Sequence, residues 1–215
     1  MMPTLADSAT WRSVNGAAYD RMALDYFRRS EGAGIEADAM RLVSSLISRF
    51  GSAPRVVDIG SGPGVDAWWL SDAGASPICI DVSASMLRTA NDRSAPAVFV
   101  CGDMLKNPFI SESFHGAWAC ASLLHAPKSG LPQALEEIHR ILVRGGLLYL
   151  ALRAGEGHLI ASRGTSHARF LALYRESELE TALVEAGLRP LALSQRKWPL
   201  ALDDGFWIHG FAIRC

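Results

Sequence analysis

The stretch RVVDIGSGPG, residues 55–64, sets Gly60, Gly62 and Gly64 at alternate positions after an apolar run that contains Asp58. Glycine has no Cβ, so a ligand can approach such a turn closely and the backbone can take conformations that side chains block. A helix that follows a turn of this kind points unpaired N–H groups at whatever binds there. Two further acids close later apolar runs. Asp81 follows Pro77–Ile80, and Asp103 follows Ala97–Cys101 within CGDM. A carboxylate about twenty residues beyond the glycine turn can accept hydrogen bonds from both hydroxyls of a ribose. Charge-assisted bonds of that type contribute roughly 1.5–3 kcal/mol each. Asp81 could equally cap the helix that begins near Ser83, and the two roles are compatible. Asp103 can accept from an adenine amino group.

The ligand follows from what surrounds the glycines. A dinucleotide turn reads G-x-G-x-x-G and holds a pyrophosphate at the helix end. Here Val65 stands where the third glycine would be, and Asp58 lies beside the turn. A carboxylate there repels a pyrophosphate but suits an ammonium group and a sulfonium. S-adenosylmethionine carries both.

The elements that must position these residues are legible as alternation. Short apolar runs at Arg55–Ile59, Pro77–Ile80, Ala97–Cys101, Gly116–Ala121 and Gly146–Leu152 are spaced by helical patterns at Val65–Ala73, Ser83–Asn91 and Leu131–Leu142. Consecutive apolar positions within a run fit strands covered on both faces. Leu131, Leu135, Ile138 and Leu142 share one helical face, and Ile35, Ala39, Leu42, Val43, Leu46 and Phe50 form another stripe. Tyr19, Met22, Ala23 and Tyr26 share a face in an earlier helix. At least one of Trp68 and Trp69 should pack on the sheet. Ser177–Glu180 reads as a capping box and Gly187 as a helix stop. Leu188–Ser194 and Phe206–Arg214 read as two last strands joined by a hairpin-like return. Residues 153–168 show no periodicity and read as a mobile loop placed where a lid could sit. The expected fold is α/β: a Rossmann-like, seven-stranded, mostly parallel sheet with helices on both faces and an antiparallel last strand. It forms one domain, with N-terminal helices (1–52), a ligand-binding core (53–152) and a C-terminal lid, helix and strand pair (153–215).

VVDIGSGPG, CIDVSASMLRTA, VCGDMLKNPF, FHGAWACASLLHAP and LPQALEEIHRILVRGGLLYLAL, in that order, resemble the successive motifs of class I S-adenosylmethionine-dependent methyltransferases. YDRMALDY resembles their N-terminal helix. The resemblance covers about Arg55 to Leu152. It implies that Gly60, Ser61, Gly62 and Gly64 cradle the amino-acid part of the cofactor, with Asp58 supporting the loop or the ammonium. It implies that Asp81 binds the ribose, with Val82 or Met86 against the adenine. Gly102, Asp103 and Met104 would form the adenine end. Ala119, Cys120 and Ala121 would lie under the sulfonium, and Tyr19 and Tyr26 would close over the methionine tail. The product would be S-adenosyl-L-homocysteine. No Asn/Asp-Pro-Pro-Tyr/Phe signature follows the fourth strand, where the chain reads ACASLLHAP. That departs from the branches that methylate amino groups of DNA and protein glutamine, and fits the branch acting on small molecules and some RNAs. HARFLALYRESELETALVEAGLRPL resembles the tail of that branch, some of whose members modify the tRNA wobble uridine.

Methyl transfer from a sulfonium needs alignment first, which can contribute roughly 7–11 kcal/mol. A base is needed for a hydroxyl or protonated amine but not for a carboxylate or thiolate. His125, just past the fourth strand, is the candidate base or acceptor contact. His158 and His167 fall in the suspected lid. Arg153, Arg169 and Tyr174 are candidate acceptor contacts. A nucleotide-dependent oxidoreductase remains an alternative, though it would leave Asp103 without a role. So does a cofactor binder without turnover.

Bulk properties exclude several classes. The 215 residues carry 21 Lys/Arg and 22 Asp/Glu, a formal net charge of −1, spread evenly along the chain. Nothing favours nucleic acid or an anionic membrane, so a small-molecule acceptor is expected, tRNA being the alternative. Cys79, Cys101, Cys120 and Cys215 include no CxxC spacing and read as buried thiols in a reducing compartment. No clustered His and carboxylates suggest a metal. The first residues lack a secretory apolar segment. The longest apolar run, Leu147–Leu152, is far short of the about 20 residues needed to span a bilayer. A cytoplasmic protein is expected, with its oligomeric state open.

Overall fold

A computed structural model describes residues 14–23, 36–161, 169–197 and 205–215. Helix α1 covers residues 14–23. The remaining elements are α2 (Glu36–Phe50), β1 (Arg55–Ile59), α3 (Val65–Asp72), β2 (Ser76–Asp81), α4 (Ala84–Asp92), β3 (Val98–Cys101), β4 (Phe114–Cys120), α5 (Leu131–Ile141), β5 (Leu142–Arg153), β6 (His158–Ala161), β7 (Arg169–Ala172), α6 (Glu176–Glu185), β8 (Leu188–Lys197) and β9 (Phe206–Arg214).

Seven strands form one sheet in the order β3-β2-β1-β4-β5-β9-β8. Strands β3 to β5 pair in parallel, and β9 runs antiparallel to both β5 and β8. The chain builds outward from β1 to β3, then returns to lay β4 on the other side of β1. Such a reversal opens a crevice at the carboxyl ends of the two middle strands. Helices cover both faces. Ala39, Leu42, Val43 and Leu46 of α2 and Leu70 of α3 pack with Val56, Trp118 and Tyr149. Leu131, Leu135 and Ile138 of α5 and Leu179 and Leu183 of α6 pack on the opposite face with Val57, Ala117, Leu148 and Leu150. Trp69 packs against the first of these clusters, while Trp68 is exposed.

Several expectations are corrected. Leu142 does not continue the α5 face; it opens β5 and pairs with Phe114 before a register shift. Helix α6 starts at Glu176, one residue before Ser177, and Glu178 Oε2 reaches back to accept from Arg175 N at 2.9 Å. Residues 153–168 are not one structureless loop. Arg153 ends β5, and β6 pairs antiparallel with β7 as a two-stranded ribbon. Gly164 and His167 lie outside the described residues, as does the 198–204 return between β8 and β9. Of the four cysteines, Cys79 is buried and Cys120 half-buried, but Cys101 and Cys215 are exposed, and all four are free thiols. Among the described residues no helix is long and apolar enough to cross a membrane.

The last two strands are tied to α2 by a partly buried polar contact that apolar periodicity does not announce. Arg196 of β8 pairs with Asp38 of α2, and its Nη2 also donates to His209 Nδ1 at 3.0 Å. The Tyr149 hydroxyl lies 3.2 Å from Asp38 Oδ2 and 2.8 Å from His209 Nδ1. Burial and the Arg196 charge push His209 down to about 4, so it sits neutral between the two. Removing Arg196 leaves Asp38 with the Tyr149 hydroxyl but without its charge partner. Arg196→Ala should therefore cost about 1 kcal/mol, the upper end for an ion pair screened by solvent on one side. The measurement is urea unfolding, and an unshifted midpoint would show that Arg196 does not brace the hairpin.

Candidate cofactor and acceptor site

The glycine turn sits at the carboxyl end of β1. Gly60 has φ 68° and Gly62 φ 53°, the left-handed region that favours glycine. Their surroundings differ. A Cβ on Gly60 would lie 2.5 Å from Ser122 Cβ, whereas one on Gly62 would meet nothing within 4 Å. Gly60 is thus a packing requirement against the β4 loop, and Gly62 faces open space. Gly60 N and Ser61 N both donate to Ile80 O, at 2.8 and 3.1 Å, which fixes the turn to β2. Gly64 caps α3.

Asp81 braces this arrangement. Its Oδ2 accepts from Gly62 N and its Oδ1 from Ser83 N, each at 2.8 Å. Ser83, not Asp81, is the cap of α4, since Ser83 Oγ accepts from Met86 N at 3.1 Å. An ionised carboxylate offers about four acceptor positions, so two on Asp81 remain for hydroxyls. Asp103 lies two residues past the end of β3, where its Oδ1 accepts from Leu105 N at 2.9 Å. Val82 is exposed beyond Asp81, but Met86 is fully buried on the inner face of α4. Val82 therefore offers surface to a ligand and Met86 does not. Gly102 lies against Ile80, and Met104 packs on the core edge. Ala119 is buried within the sheet, while Cys120 and Ala121 are half-buried at its edge. Ala121 has φ 53°, a strained conformation for alanine of the kind that gathers at ligand sites.

Asp58 is the unusual member. It is 2% exposed, and its hydrogen-bond contact is the weak one from Cys79 Sγ at 4.0 Å. Burial, then the neighbouring Asp66 and Asp81 charges, push its carboxyl well above the ordinary range. Burial also lifts Asp66, which accepts from Trp118 Nε1 at 2.6 Å, to about 6. No cation pairs with Asp58 among the described residues. A buried carboxylate beside an open glycine turn suits a cationic ligand. Ser122 Oγ, buried without a partner against Gly60, adds an unspent polar atom to the cradle.

Helix α1 carries the other half of the site. Asp20 Oδ1 accepts from Ser83 Oγ at 2.5 Å and from Ser85 N at 3.3 Å, which anchors α1 to the Asp81 side. Asn15 Oδ1 accepts from Phe170 N at 2.9 Å, and its Nδ2 donates to His125 O at 3.0 Å and Phe170 O at 3.3 Å. Between these anchors, the Tyr19 hydroxyl lies 2.6 Å from His125 Nε2 and accepts from Arg169 Nη1 at 3.1 Å. His125 Nδ1 lies 3.2 Å from Phe170 O. The carbonyl can only accept, so Nδ1 carries the proton and Nε2 accepts from the phenol. Burial, with the Arg169 charge adding to it, holds His125 down at about 3, so the ring is neutral. Burial raises the Tyr19 phenol.

Two other candidates are placed elsewhere. Arg153 donates from Nη1 to Phe206 O at 2.8 Å and lies over the Trp207 ring, holding the start of β9. Tyr174 is buried in the α5–α6 core beneath Lys128. His158 is an exposed strand residue stacked on Phe170. Tyr26 lies outside the described residues. Asn15, Asp20 and Asp66 were not anticipated, whereas Ser122 closes the segment from Ala119 that the resemblance places under the sulfonium. The i, i+4 spacing of Asn15 and Tyr19 on one helical face is the signal that could have flagged the first. Among the described residues there is no group of His, Cys, Asp or Glu able to hold a metal ion.

Residues 56–146 match the family described as methyltransferase domain. The malonyl-[acyl-carrier protein] O-methyltransferase of Erwinia pyrifoliae is 30% identical over 210 residues, covering 93% of this chain and 78% of that one. The biotin biosynthesis bifunctional protein of Cellvibrio japonicus is 30% identical over 144 residues, 64% of this chain but 28% of its own length. Other curated relatives are matched over about half their length, 49% for the Pseudescherichia vulneris enzyme. Among solved structures, the 1,6-didemethyltoxoflavin-N1-methyltransferase of Burkholderia thailandensis, holding S-adenosylhomocysteine, superposes with a TM-score of 0.73 at 17% identity, over 100% of this chain and 93% of that one. The family match takes in Asp58, the glycine turn, Asp81, Asp103 and His125, and the chain belongs to the class I S-adenosylmethionine-dependent methyltransferases.

Proposed function

We propose that the protein transfers a methyl group from S-adenosylmethionine to an oxygen, nitrogen or sulfur atom of a small-molecule acceptor. The observation that carries this reading is the uncompensated, buried Asp58 beside a glycine turn that Asp81 braces from the next strand. When bound, the cofactor supplies the methyl group on a sulfonium, a leaving group that needs no protonation. Gly60, Ser61, Gly62 and Gly64 hold its amino-acid end, with Asp58 facing the positive charge. Asp81 takes the ribose hydroxyls, Val82 the adenine face, and Asp103 the adenine amino group. Cys120 and Ala121 floor the region of the transferred methyl. Tyr19 closes over it from α1.

In this reading His125 positions Tyr19 and does not act as the base. Its Nε2 already accepts from the phenol, and a ring held near 3 is a poor proton acceptor at neutral pH. The oxidoreductase alternative loses support, because Val65 stands in place of the third phosphate-turn glycine and the family match is to methyltransferases. A tRNA acceptor has no basic stretch in its favour.

Two outcomes follow. Asp81→Ala should weaken S-adenosylhomocysteine binding at least tenfold by calorimetric titration, with an unchanged circular dichroism spectrum. Equal affinity would remove Asp81 from the ribose site. The second concerns pH. Asp58 and Asp66 are raised by burial, so acid protonates them and removes the negative charge a cationic ligand faces. As pH falls through about 6, the value to which burial lifts Asp66, the Tm increase given by saturating S-adenosylmethionine should shrink, and Asp66→Asn should flatten that dependence. A ligand-induced shift that stays constant between pH 7.5 and 5.5 would contradict the pairing.

A further inference from the structure

The acceptor side carries a second uncompensated charge, opposite in sign to the first. Arg169 begins β7 and is 6% exposed. Its guanidinium donates once, from Nη1 to the Tyr19 hydroxyl at 3.1 Å, and lies 5.4 Å from the centroid of that ring. Its Nε is buried without a partner, and no carboxylate pairs with it among the described residues. An isolated buried cation costs several kcal/mol even after relaxation. A phenol and a ring face offset part of that. The edge formed by Nε and Nη2 is the one that grips a carboxylate through two parallel hydrogen bonds.

The same cluster lacks a free base. His125 gives Nδ1–H to Phe170 O and takes the Tyr19 proton on Nε2, so neither ring nitrogen is available to an acceptor. The Tyr19 hydroxyl is committed to His125 and already accepts from Arg169. An acceptor that must lose a proton, such as an alcohol or an ammonium, finds no group here to take it. An acceptor that arrives as an anion needs none.

We propose that the acceptor is a carboxylic acid, bound as its carboxylate by Arg169 with Tyr19 alongside, and methylated on a carboxylate oxygen to give a methyl ester. This rests on the cofactor reading above. One acceptor oxygen forms the C–O bond as the C–S bond of S-adenosylmethionine breaks, and the electron pair of that bond stays on sulfur. No proton is released. The products are a neutral ester and S-adenosylhomocysteine, so the charge that Arg169 binds disappears in the reaction and the ester is held less tightly than the acid.

The test uses wild type and Arg169→Gln, each saturated with S-adenosylhomocysteine and titrated with butanoate, octanoate, pentanedioate and benzoate, beside the matching alcohols and amines. At least one acid should bind wild type and bind the variant tenfold or more weakly, with alcohols and amines indifferent to the change. Arg169→Gln should melt at or above the wild-type temperature without ligand, because it removes an unpaired buried charge, whereas a purely structural arginine would lower it. With methyl-labelled cofactor, the transferred label should be released as methanol by mild alkali. Absence of binding by every acid, equal affinity in the variant, or alkali-stable label on an amine or alcohol would overturn the carboxylate assignment while leaving methyl transfer standing. Failure of either protein to bind S-adenosylhomocysteine would instead strike at the cofactor reading itself.

Discussion

Asp58 is held at the end of the central strand, out of water, with a thiol 4.0 Å away as its hydrogen-bond contact. A carboxylate in that position raises its own proton affinity and is costly to ionise. Much of the surrounding architecture exists to keep it there. The sheet order places β1 in the middle, with β2 and β4 on either side. The glycine turn then carries the chain past the buried carboxylate, with open space at Gly62. Asp81 locks the turn through Gly62 N, so the open face at Gly62 is a fixed feature of the fold. A cation entering there favours the ionised form that burial disfavours, and it meets a turn that Asp81 already holds in place.

Helix α1 joins the two halves of the site. Asp20 fastens it to the Ser83 turn at the proposed cofactor end, and Asn15 and Tyr19 fasten it to His125, Arg169 and Phe170 at the proposed acceptor end. The strain at Ala121 and the packing of Ser122 against Gly60 lie along the same line, where the β4 loop meets the glycine turn. Any shift of α1 on ligand binding must therefore be felt on both sides. In the proposed reading, positive charge is met at one end by acids and negative charge at the other by Arg169. That polarity suits a reaction in which a cationic methyl donor meets an electron-rich acceptor.

The central sheet was legible in the sequence because its signals are local. Strands β1 to β5 read as apolar runs, the acids at their ends read as ligands, and the stripe of α2 read as a buried face. The rest depends on contacts across long separations. Nothing in the sequence near Asp38 points to Arg196, and nothing near Tyr19 points to His125 or Arg169, because those pairs are made by topology. Periodicity also misjudged segments too short to show it: the four-residue β6 and β7 strands are stabilised by each other, so neither stands out alone. Of the alternatives Val82 and Met86, the α4 geometry turns Met86 wholly into the core and leaves Val82 exposed, a choice that sequence position alone does not make.

The most direct measurement of the central claim is calorimetric titration with S-adenosylmethionine, S-adenosylhomocysteine and NAD at pH 6.5, repeated in two buffers of different ionisation enthalpy. The account predicts micromolar binding of both sulfur ligands, about −8 kcal/mol, with no binding of NAD. It also predicts that buffer-dependent heats reveal protons released on binding, more for the sulfonium than for the thioether, as Asp58 and Asp66 ionise to meet the cation. Binding of NAD in their place, or sulfur-ligand binding whose heat is independent of buffer, would contradict the role assigned to the buried acids.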